Sequence, residues 1–478
     1  MDNLFIFKFG GSCLKNKAAL AESLKIINKY RDKGKIIAVT SAFYGVTDLL
    51  IKWKNNQLET RDELQAAEDL EDIFQFHKNF VDDLISNVEL RTRSLKFLTK
   101  CKEELEYHIP DLTKGNTSPE LTDKIISYGE RLSTFIYCNY LKDNGFKTEF
   151  FSADDNLLIT DNIFGKALPD LEKTRENIYN RLNPALKDNS IPVFTGFYGC
   201  TEDGKTTTLG RGGTDFTATI IAYALAERYR IKVIFWKDVY GLLSANPKYE
   251  PHAKILKHIS FSEARELAFF GSKVLHPLCL ITAEKGGVEV ELRNFNDPFN
   301  EKSTTISKQI IEEKSVIKSI TALEKIAMIT IEGEAMVSLP GAAAKLFSII
   351  GNNNININFI SQSSSENNIT FGVTDEEGFK AGQILADSED FGKRWLSVRV
   401  EHDVSLMAVV GMGMADTPGI AGKVFTALGD AGVNVRAIAQ GSSEMNISFV
   451  IKRDDLQKAI RFLYHKFIEN TDFTTSFW

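Results

Sequence analysis

The chain has 478 residues, of which 43% are hydrophobic, and its formal net charge is −7 at pH 7. This length is typical of roughly two to four domains. The acidic balance argues against a nucleic-acid partner, which would require a basic excess. Five scattered cysteines without a CxxC pair favour free thiols over disulfides or a zinc site. No apolar stretch approaches the roughly 18 residues of a membrane span, so we expect a cytoplasmic protein without a membrane partner.

The first 40 residues predict the opening of an α/β unit. An apolar strand at 4–9 is followed by a Gly-Gly-Ser turn, a helical pattern at 17–33 and a second apolar strand at 35–40. This order is typical of a mostly parallel sheet. Ligands of such folds lie beyond the carboxyl ends of the strands. We therefore expect one site from the loops that follow predicted strands, at 8–12, 40–48, 195–215 and 236–248.

The segment 204–219 concentrates residue types that commonly bind anions. Its glycines and threonines surround Arg211 and Asp215, and an apolar run follows. Glycines let backbone N–H groups approach an anion, and a helix N-terminus adds its positive dipole end. Arg211 offers a planar fork for a carboxylate or phosphate. A solvated turn is the alternative interpretation.

Lysine, arginine, glycine and hydroxyl residues, rather than histidine bases, characterise the predicted strand ends. Lys8 lies inside an apolar strand, which is costly unless it meets an anion; the alternative is a lysine that protects an edge strand. GxxxxGK[ST], HExxH and GxSxG motifs are absent. The remaining residue types suit phosphoryl transfer. A carboxylate acceptor would already be ionised at pH 7 and would need no general base.

An internal repeat follows a polar, lysine-rich stretch near 298–325. Residues 340–347 match 418–425, and Asn356-Ile357 match Asn434-Val435 at the same offset. A constant offset over many positions indicates two copies of one module. Each copy predicts a strand, a helix that begins at Pro-Gly, and two further strands.

Several motifs, in chain order, resemble those of the aspartate kinases in the amino acid kinase family. The matching stretches are 8–12, 39–48, 129–133, 206–215, 238–241 and 270–277, and the repeated tail resembles the tandem ACT regulatory modules. The resemblance implies an α/β fold: a three-layer, mostly parallel sheet kinase domain followed by two α+β ferredoxin-like ACT modules. The implied limits are 1–298 for the kinase domain, with a helical insertion at about 57–125, 299–325 for a linker, 326–402 for the first module and 403–478 for the second.

The resemblance implies ATP-dependent phosphorylation of the β-carboxylate of L-aspartate to 4-phospho-L-aspartate, on the route to lysine, threonine and methionine. The implied catalytic residues are Lys8, Arg211 and Asp215. The implied aspartate pocket comprises Ser41, Thr47, Glu130, Arg211 and Thr214. The implied nucleotide contacts are Lys8, Gly10, Gly11, Lys237, Asp238, Lys248, Lys273 and Val274. Mg²⁺ would be held mainly by phosphates and water, without a protein metal cluster.

The ACT modules imply feedback control and a homodimer. The implied effector contacts are Gly341, Asn358, Gln362 and Gln440. Their uncharged amides favour threonine as the effector, with lysine as the alternative. The chain departs from the family pattern at Ser12-Cys13, at Lys237 and in the loop 243–248. The alternatives are another amino acid kinase such as a glutamate kinase, a non-catalytic sensor with a kinase fold, or modules that serve only dimerisation.

Overall fold

The computed structural model describes residues 1–270, 275–308, 316–333, 341–363, 367–391, 396–414, 417–439 and 445–469. The chain divides into two compact units. Unit 1 comprises Met1–Leu242, Lys257–Phe261 and Lys273–Ile310, and unit 2 comprises Leu243–Leu256, Ser262–Ser272 and Ile311–Trp478. In the described ranges no helix is both long enough and apolar enough to span a bilayer.

Unit 1 is built on an eight-stranded sheet. Its strands are β1 (Asn3–Phe9), β2 (Lys35–Thr40), β3 (Thr148–Phe151), β4 (Ile191–Thr195), β7 (Arg230–Lys237), β8 (His258–Ser260), β9 (Glu289–Asn294) and β10 (Ser303–Ser307). A separate hairpin pairs β5 (Tyr198–Cys200) with β6 (Thr206–Thr208). The order in the sheet is β3-β4-β2-β1-β7-β9-β10-β8, and only the β9–β10 pair is antiparallel.

The helices of unit 1 follow the strands in the order expected of an α/β fold. They are α1 (Lys17–Tyr30), α2 (Val46–Thr60), α3 (Glu63–Leu84), α4 (Val88–Glu106), α5 (Ile109–Thr113), α6 (Pro119–Asp143), α7 (Leu171–Lys187), α8 (Gly213–Leu225) and α10 (Pro277–Gly286). Helices α2 to α6 run through this part of the chain: α3 to α5 lie within the predicted helical insertion at about 57–125, and α2 and α6 overlap its two ends. The longest of them, α6, begins with Pro119 after the cap Ser118, whose hydroxyl accepts from the Leu121 N–H.

The centre of the sheet is buried on both faces, as expected for parallel strands covered by helices. Phe7 and Phe9 of β1 pack in one core with Trp236 of β7 and Tyr137 of α6. Lys8 stands between these two phenylalanines and is itself buried. A charged side chain at this place requires a partner. Because Lys8 lies near the carboxyl end of β1, that partner is expected at this edge of the sheet.

Unit 2 contains an antiparallel six-stranded sheet in the order β12-β13-β11-β14-β16-β15. The strands are β11 (Ser319–Glu332), β12 (Phe359–Gln362), β13 (Asn368–Thr374), β14 (Ser397–Val410), β15 (Val435–Ala439) and β16 (Asn446–Lys452). The helices are α9 (Phe261–Phe269), which lies in unit 2 from Ser262 onward, α11 (Ala342–Asn352), α12 (Asp375–Asp387), α13 (Ile420–Asp430) and α14 (Leu456–Tyr464). The predicted fold class, a mostly parallel α/β sheet followed by two α+β modules, is confirmed.

Strands β11 and β14 run through the cores of both modules. Ile320, near the start of β11, packs in the core that contains α13 and α14. Ile329, further along the same strand, packs in the core that contains α11 and α12. The pairing with β14 shifts register between Leu323 and Met328, where the strand passes from one core to the other. Strand β10 and the first part of β11 fall within the predicted linker, and the domain limits given above stay predictions.

Candidate active site

Three charged side chains meet at the carboxyl ends of β1 and β7. These strands are adjacent and parallel, so Lys8 near the end of β1 and Lys237 at the end of β7 reach the same edge of the sheet. Asp215 lies in the first turn of α8. Its two carboxylate oxygens lie 2.8 Å from the Lys8 Nζ and 2.7 Å from the Lys237 Nζ. The three groups form a lysine–aspartate–lysine cluster, in which Lys8 and Asp215 are buried and Lys237 is partly buried.

Opposing effects of burial and charge set the pKa values in this cluster. Burial alone would raise the pKa of Asp215, but the two ammonium groups outweigh it and hold the pKa below its ordinary value. Burial lowers the pKa of Lys8, and the charge of Lys237 adds to this effect, so attraction to Asp215 only partly restores it. Burial likewise disfavours the charged form of Lys237, but Asp215 outweighs it and raises the pKa. Lys8 is therefore the ammonium group that gains most from an additional anion.

Glycines lie beside the cluster at positions where a side chain would crowd its neighbours. A methyl group at Gly10 would lie 3.0 Å from the Lys8 Nζ. Gly212 precedes α8 with a φ of +78°, a left-handed conformation that favours glycine, and a methyl there would lie 2.8 Å from the His276 Cβ. In the described part of the chain no side chain caps α8, so its N-terminal N–H groups and positive dipole end can serve an anion.

A chain of hydroxyl groups connects the end of β2 with α8 and α6. The Ser41 Oγ donates to the Thr214 Oγ1 over 2.9 Å, and the Ser133 Oγ donates to the Ser41 carbonyl over 2.7 Å. Gly196, which follows β4, packs so closely on Thr214 that a methyl would lie 2.3 Å from the Thr214 Cγ2. These contacts place Ser41 and Thr214 side by side.

Glu130 is a buried carboxyl group on α6 that is only partly satisfied. It accepts from the Ala42 backbone N–H, and its Oε2 has no hydrogen-bond partner among the described residues. Burial raises its pKa to about 8, although the hydrogen bonds and the charge of Lys8 act in the opposite direction. Helix α6 lies close to the end of β2 here, since a methyl at Gly129 would lie 2.9 Å from the Ala42 Cβ and 3.7 Å from the Thr47 Oγ1. An unpartnered buried carboxyl group is ready to receive a cation.

The amino acid kinase family model matches residues 3–294. The chain belongs to this family. The ACT domain model matches residues 329–388 and 407–467, which correspond to the two repeats. The resemblance inferred from the sequence motifs is confirmed.

Aspartokinases are among the proteins to which this chain is similar. The bifunctional aspartokinase/homoserine dehydrogenase 1 of Arabidopsis thaliana is 30% identical over 481 residues, which cover 98% of this chain and 51% of that protein. The chain therefore spans about half the length of that relative. E. coli aspartokinase III in complex with aspartate and ADP (R-state) has a TM-score of 0.76 at 27% identity, covering 97% of this chain and 99% of that one. Its complex with lysine and aspartate (T-state) has a TM-score of 0.79 at 25% identity, with the same coverage.

The structure places the other predicted kinase-site residues as follows. Gly11 follows β1 in the same turn as Gly10. Arg211 is exposed in the loop before α8 and makes no hydrogen bond or ion pair with the described residues. Asp238 is exposed directly after Lys237. Lys248 belongs to unit 2, where it pairs with Glu324 at 2.7 Å. Lys273 and Val274 lie outside the described residues.

The predicted effector residues lie in the first module, with one exception. Gly341 precedes α11 with a φ of +79°. The Asn358 backbone N–H donates to the Gly372 carbonyl over 2.7 Å, and Gln362 is the last residue of β12. Gln440 lies outside the described residues.

The sequence analysis did not single out two carboxylates, Asp123 and Asp154, that contact the β5–β6 hairpin before the Arg211 loop. Asp154 forms an ion pair with Arg131, whose guanidinium lies over the rings of Tyr128 and Tyr198. Asp123 is buried on α6 and accepts hydrogen bonds from Thr208 and Gly165. For Asp123 the available signal was an acidic residue on the buried face of α6, whereas Asp154 lies in a turn. Within the described ranges no group of three or more acidic, histidine or cysteine residues could hold a metal ion.

We expect Glu130→Gln to stabilise the ligand-free protein at neutral and alkaline pH. The pKa of Glu130 in the folded protein, about 8, exceeds the ordinary 4.5. The contribution of Glu130 to the free energy of unfolding is therefore greatest below pH 4.5 and is lost as the pH rises toward 8. The advantage of the glutamine variant should grow across this window by up to ~1.4 kcal/mol per pH unit. Urea unfolding at pH 5, 6.5 and 8 measures it, with the exposed Glu149→Gln as control. A difference that does not change with pH would contradict this prediction.

Proposed function

We propose that this amino acid kinase is an aspartokinase, which transfers the γ-phosphoryl group of MgATP to the β-carboxylate of L-aspartate. The product is 4-phospho-L-aspartate, the first intermediate toward lysine, threonine and methionine. The observation that carries this proposal is the Lys8–Asp215–Lys237 cluster at the carboxyl ends of adjacent strands. It is supported by the similarity over nearly the whole chain to E. coli aspartokinase III, which was crystallised with aspartate and ADP.

The chemistry requires two anions to meet. A β-carboxylate oxygen of aspartate attacks the γ-phosphorus, the new O–P bond forms, and the bond to the β,γ-bridging oxygen breaks to release ADP. The carboxylate is already ionised at pH 7, so no proton has to be removed. The protein contributes positioning and positive charge. Lys8 and Lys237 lie where they would neutralise the charge that develops on the transferred group.

The other end of aspartate carries an ammonium group and the α-carboxylate. We assign the ammonium group to Glu130, whose free Oε2 lacks a partner among the described residues. We assign the α-carboxylate to Arg211, because a guanidinium binds a carboxylate with two parallel hydrogen bonds. Ser41, Thr47 and Thr214 add hydroxyl groups to this pocket.

The nucleotide would occupy the glycine-rich side of the cluster. Gly10 and Gly11 carry no side chain that would keep phosphates from the backbone of their turn. Asp238, Lys248, Lys273 and Val274 are proposed contacts further along the nucleotide. Mg²⁺ would enter with ATP, coordinated mainly by phosphate oxygens and water.

Lys8→Ala should lower kcat strongly and change both KM values little, because the charge that Lys8 stabilises is greatest in the transition state. The expected loss is on the order of 10²–10³ in kcat. Coupled detection of ADP release with L-aspartate measures it. Lys232→Ala, at the opposite end of β7 and paired with Glu289, is the control and should retain activity. An equal loss in both variants would contradict the assignment.

Arg211→Ala should raise the KM for aspartate and leave the KM for ATP nearly unchanged. Loss of the charged partner of a carboxylate costs roughly 2–5 kcal/mol of binding energy. The exposed Arg228→Ala is the matched control. β-Alanine lacks the α-carboxylate, so its kcat/KM should be the same in the wild type and the Arg211 variant. Greater sensitivity of β-alanine than of aspartate would refute the role of Arg211.

We further propose that the ACT modules bind an end-product amino acid and join two chains into a homodimer. Asn358, Gln362 and Gln440 carry amides that suit the hydroxyl of threonine. E. coli aspartokinase III was crystallised with lysine, which supports lysine as the alternative. Gly341 would bring backbone N–H groups near the effector at the start of α11.

Titration with lysine, threonine and methionine, separately and combined, should identify one effector. Asn358→Ala should raise its half-inhibitory concentration about tenfold, equivalent to ~1.4 kcal/mol, with each variant referred to its own uninhibited rate. The exposed Gln383→Ala on α12 is the control. An unchanged half-inhibitory concentration for all three amino acids would argue against Asn358 as an effector contact.

A further inference from the structure

Asp123 connects α6 with the hairpin that precedes the Arg211 loop. It is 2% exposed and lies two turns before Glu130 on the same helix. Its Oδ2 accepts from the Thr208 N–H over 2.7 Å, and its Oδ1 accepts from the Thr208 Oγ1 over 2.8 Å. Thr208 is the last residue of β6, and Arg211 follows it after only two intervening residues.

The same carboxylate also holds a second segment against that loop. Its Oδ2 accepts from the Gly165 N–H over 2.7 Å. The Gly165 carbonyl lies so close to Gly210 that a methyl at Gly210 would approach it to 3.0 Å. Gly210 has a φ of +73° and immediately precedes Arg211. Asp123 thus fixes both the strand that enters the loop and the backbone against which the loop turns.

A second contact from α6 holds the other end of β6. Asp154 forms an ion pair with Arg131, the residue after Glu130, and accepts from the Thr206 Oγ1 over 3.0 Å. Helix α6 therefore holds β6 at both ends, through Asp154 at Thr206 and directly through Asp123 at Thr208. Only the Asp123 contact lies on the side from which the Arg211 loop departs.

We propose that Asp123 is a positioning residue for the substrate: it fixes the Arg211 loop relative to Glu130, and so sets the distance between the groups that bind the two charged ends of the amino acid. This inference rests on the proposed function. It accounts for a buried carboxylate that accepts hydrogen bonds from three donors, two on Thr208 and one on Gly165, and that the reaction itself does not use. Two binding groups held on a rigid element discriminate substrates better than groups on a free loop.

The test compares Asp123→Ala with Asp123→Asn in steady-state kinetics. The asparagine oxygen can accept from both backbone N–H groups while its NH₂ donates to the Thr208 Oγ1, so this variant should retain nearly wild-type constants. The alanine variant should raise the aspartate KM on the order of ten- to a hundredfold and leave the ATP KM near the wild-type value. Its kcat/KM for β-alanine, which has no group for Arg211, should stay at the wild-type value.

A double-mutant cycle separates positioning from a general loss of structure. In an Arg211→Ala background, Asp123→Ala should raise the aspartate KM little further, because both changes remove the same interaction. Additive effects, or a parallel rise in the ATP KM, would overturn the proposal. If Asp123→Ala does not fold, Thr208→Val carries the test, since it removes only the Oγ1 donor and should raise the aspartate KM alone. An unchanged aspartate KM in that variant would overturn the proposal.

The wild-type control distinguishes the two levels of inference. A wild-type protein that does not phosphorylate aspartate overturns the proposed function, and the role of Asp123 with it. A wild-type protein that does so, while the Asp123 variants affect aspartate and ATP equally, overturns only the role of Asp123.

Discussion

The buried Asp215 carboxylate is the constraint on which the site depends. Lys8 and Lys237 end adjacent parallel strands, so the topology of the sheet brings two positive charges together at low exposure. Without a shared anion, each ammonium group would carry the cost of burial and the repulsion of the other. Asp215 resolves this conflict from the first turn of α8, where the helix dipole also favours a negative charge. Attraction to Asp215 outweighs the effect of burial on the pKa of Lys237 and offsets it only in part for Lys8.

The basic and acidic groups of the site differ in whether they have partners in the free protein. The cluster has two lysines for one aspartate, and this excess of basic groups suits phosphate groups. Glu130, in contrast, has a raised pKa and an oxygen without a partner in the described part of the chain. The two lysines therefore have a partner in the free protein, whereas one oxygen of Glu130 has none among the described residues. A group that costs stability in the free protein and gains a partner on binding is typical of a functional site.

The sequence predicts the architecture well because its main signals are local. Apolar runs identify the parallel strands, the constant repeat offset identifies two modules, and Lys8 stands out as a charge within an apolar strand. Contacts between distant residues could not be predicted in this way. The Asp123–Thr208 bonds join a helix to a hairpin far along the chain, and nothing in the local pattern pairs them. The first part of β11, which lies within the predicted linker, joins the second module's sheet through the pairing of Ser319 with Val410, and the local pattern does not predict this pairing either.

The first part of β11 packs in the core of the second module, within unit 2. The core of the second module includes Ala245 and packs against Tyr249, which lie in the segment that follows Lys237 and Asp238 in the sequence. The Tyr464 hydroxyl donates to the His252 carbonyl over 3.0 Å, and the Arg461 Nε donates to the Tyr249 carbonyl over 2.9 Å. A ligand can shift an equilibrium only through contacts that differ between two states. Because α14 holds Tyr249 and His252 directly, a repacking of the second module's core would change the contacts of the segment Leu243–Leu256, which belongs to the same unit.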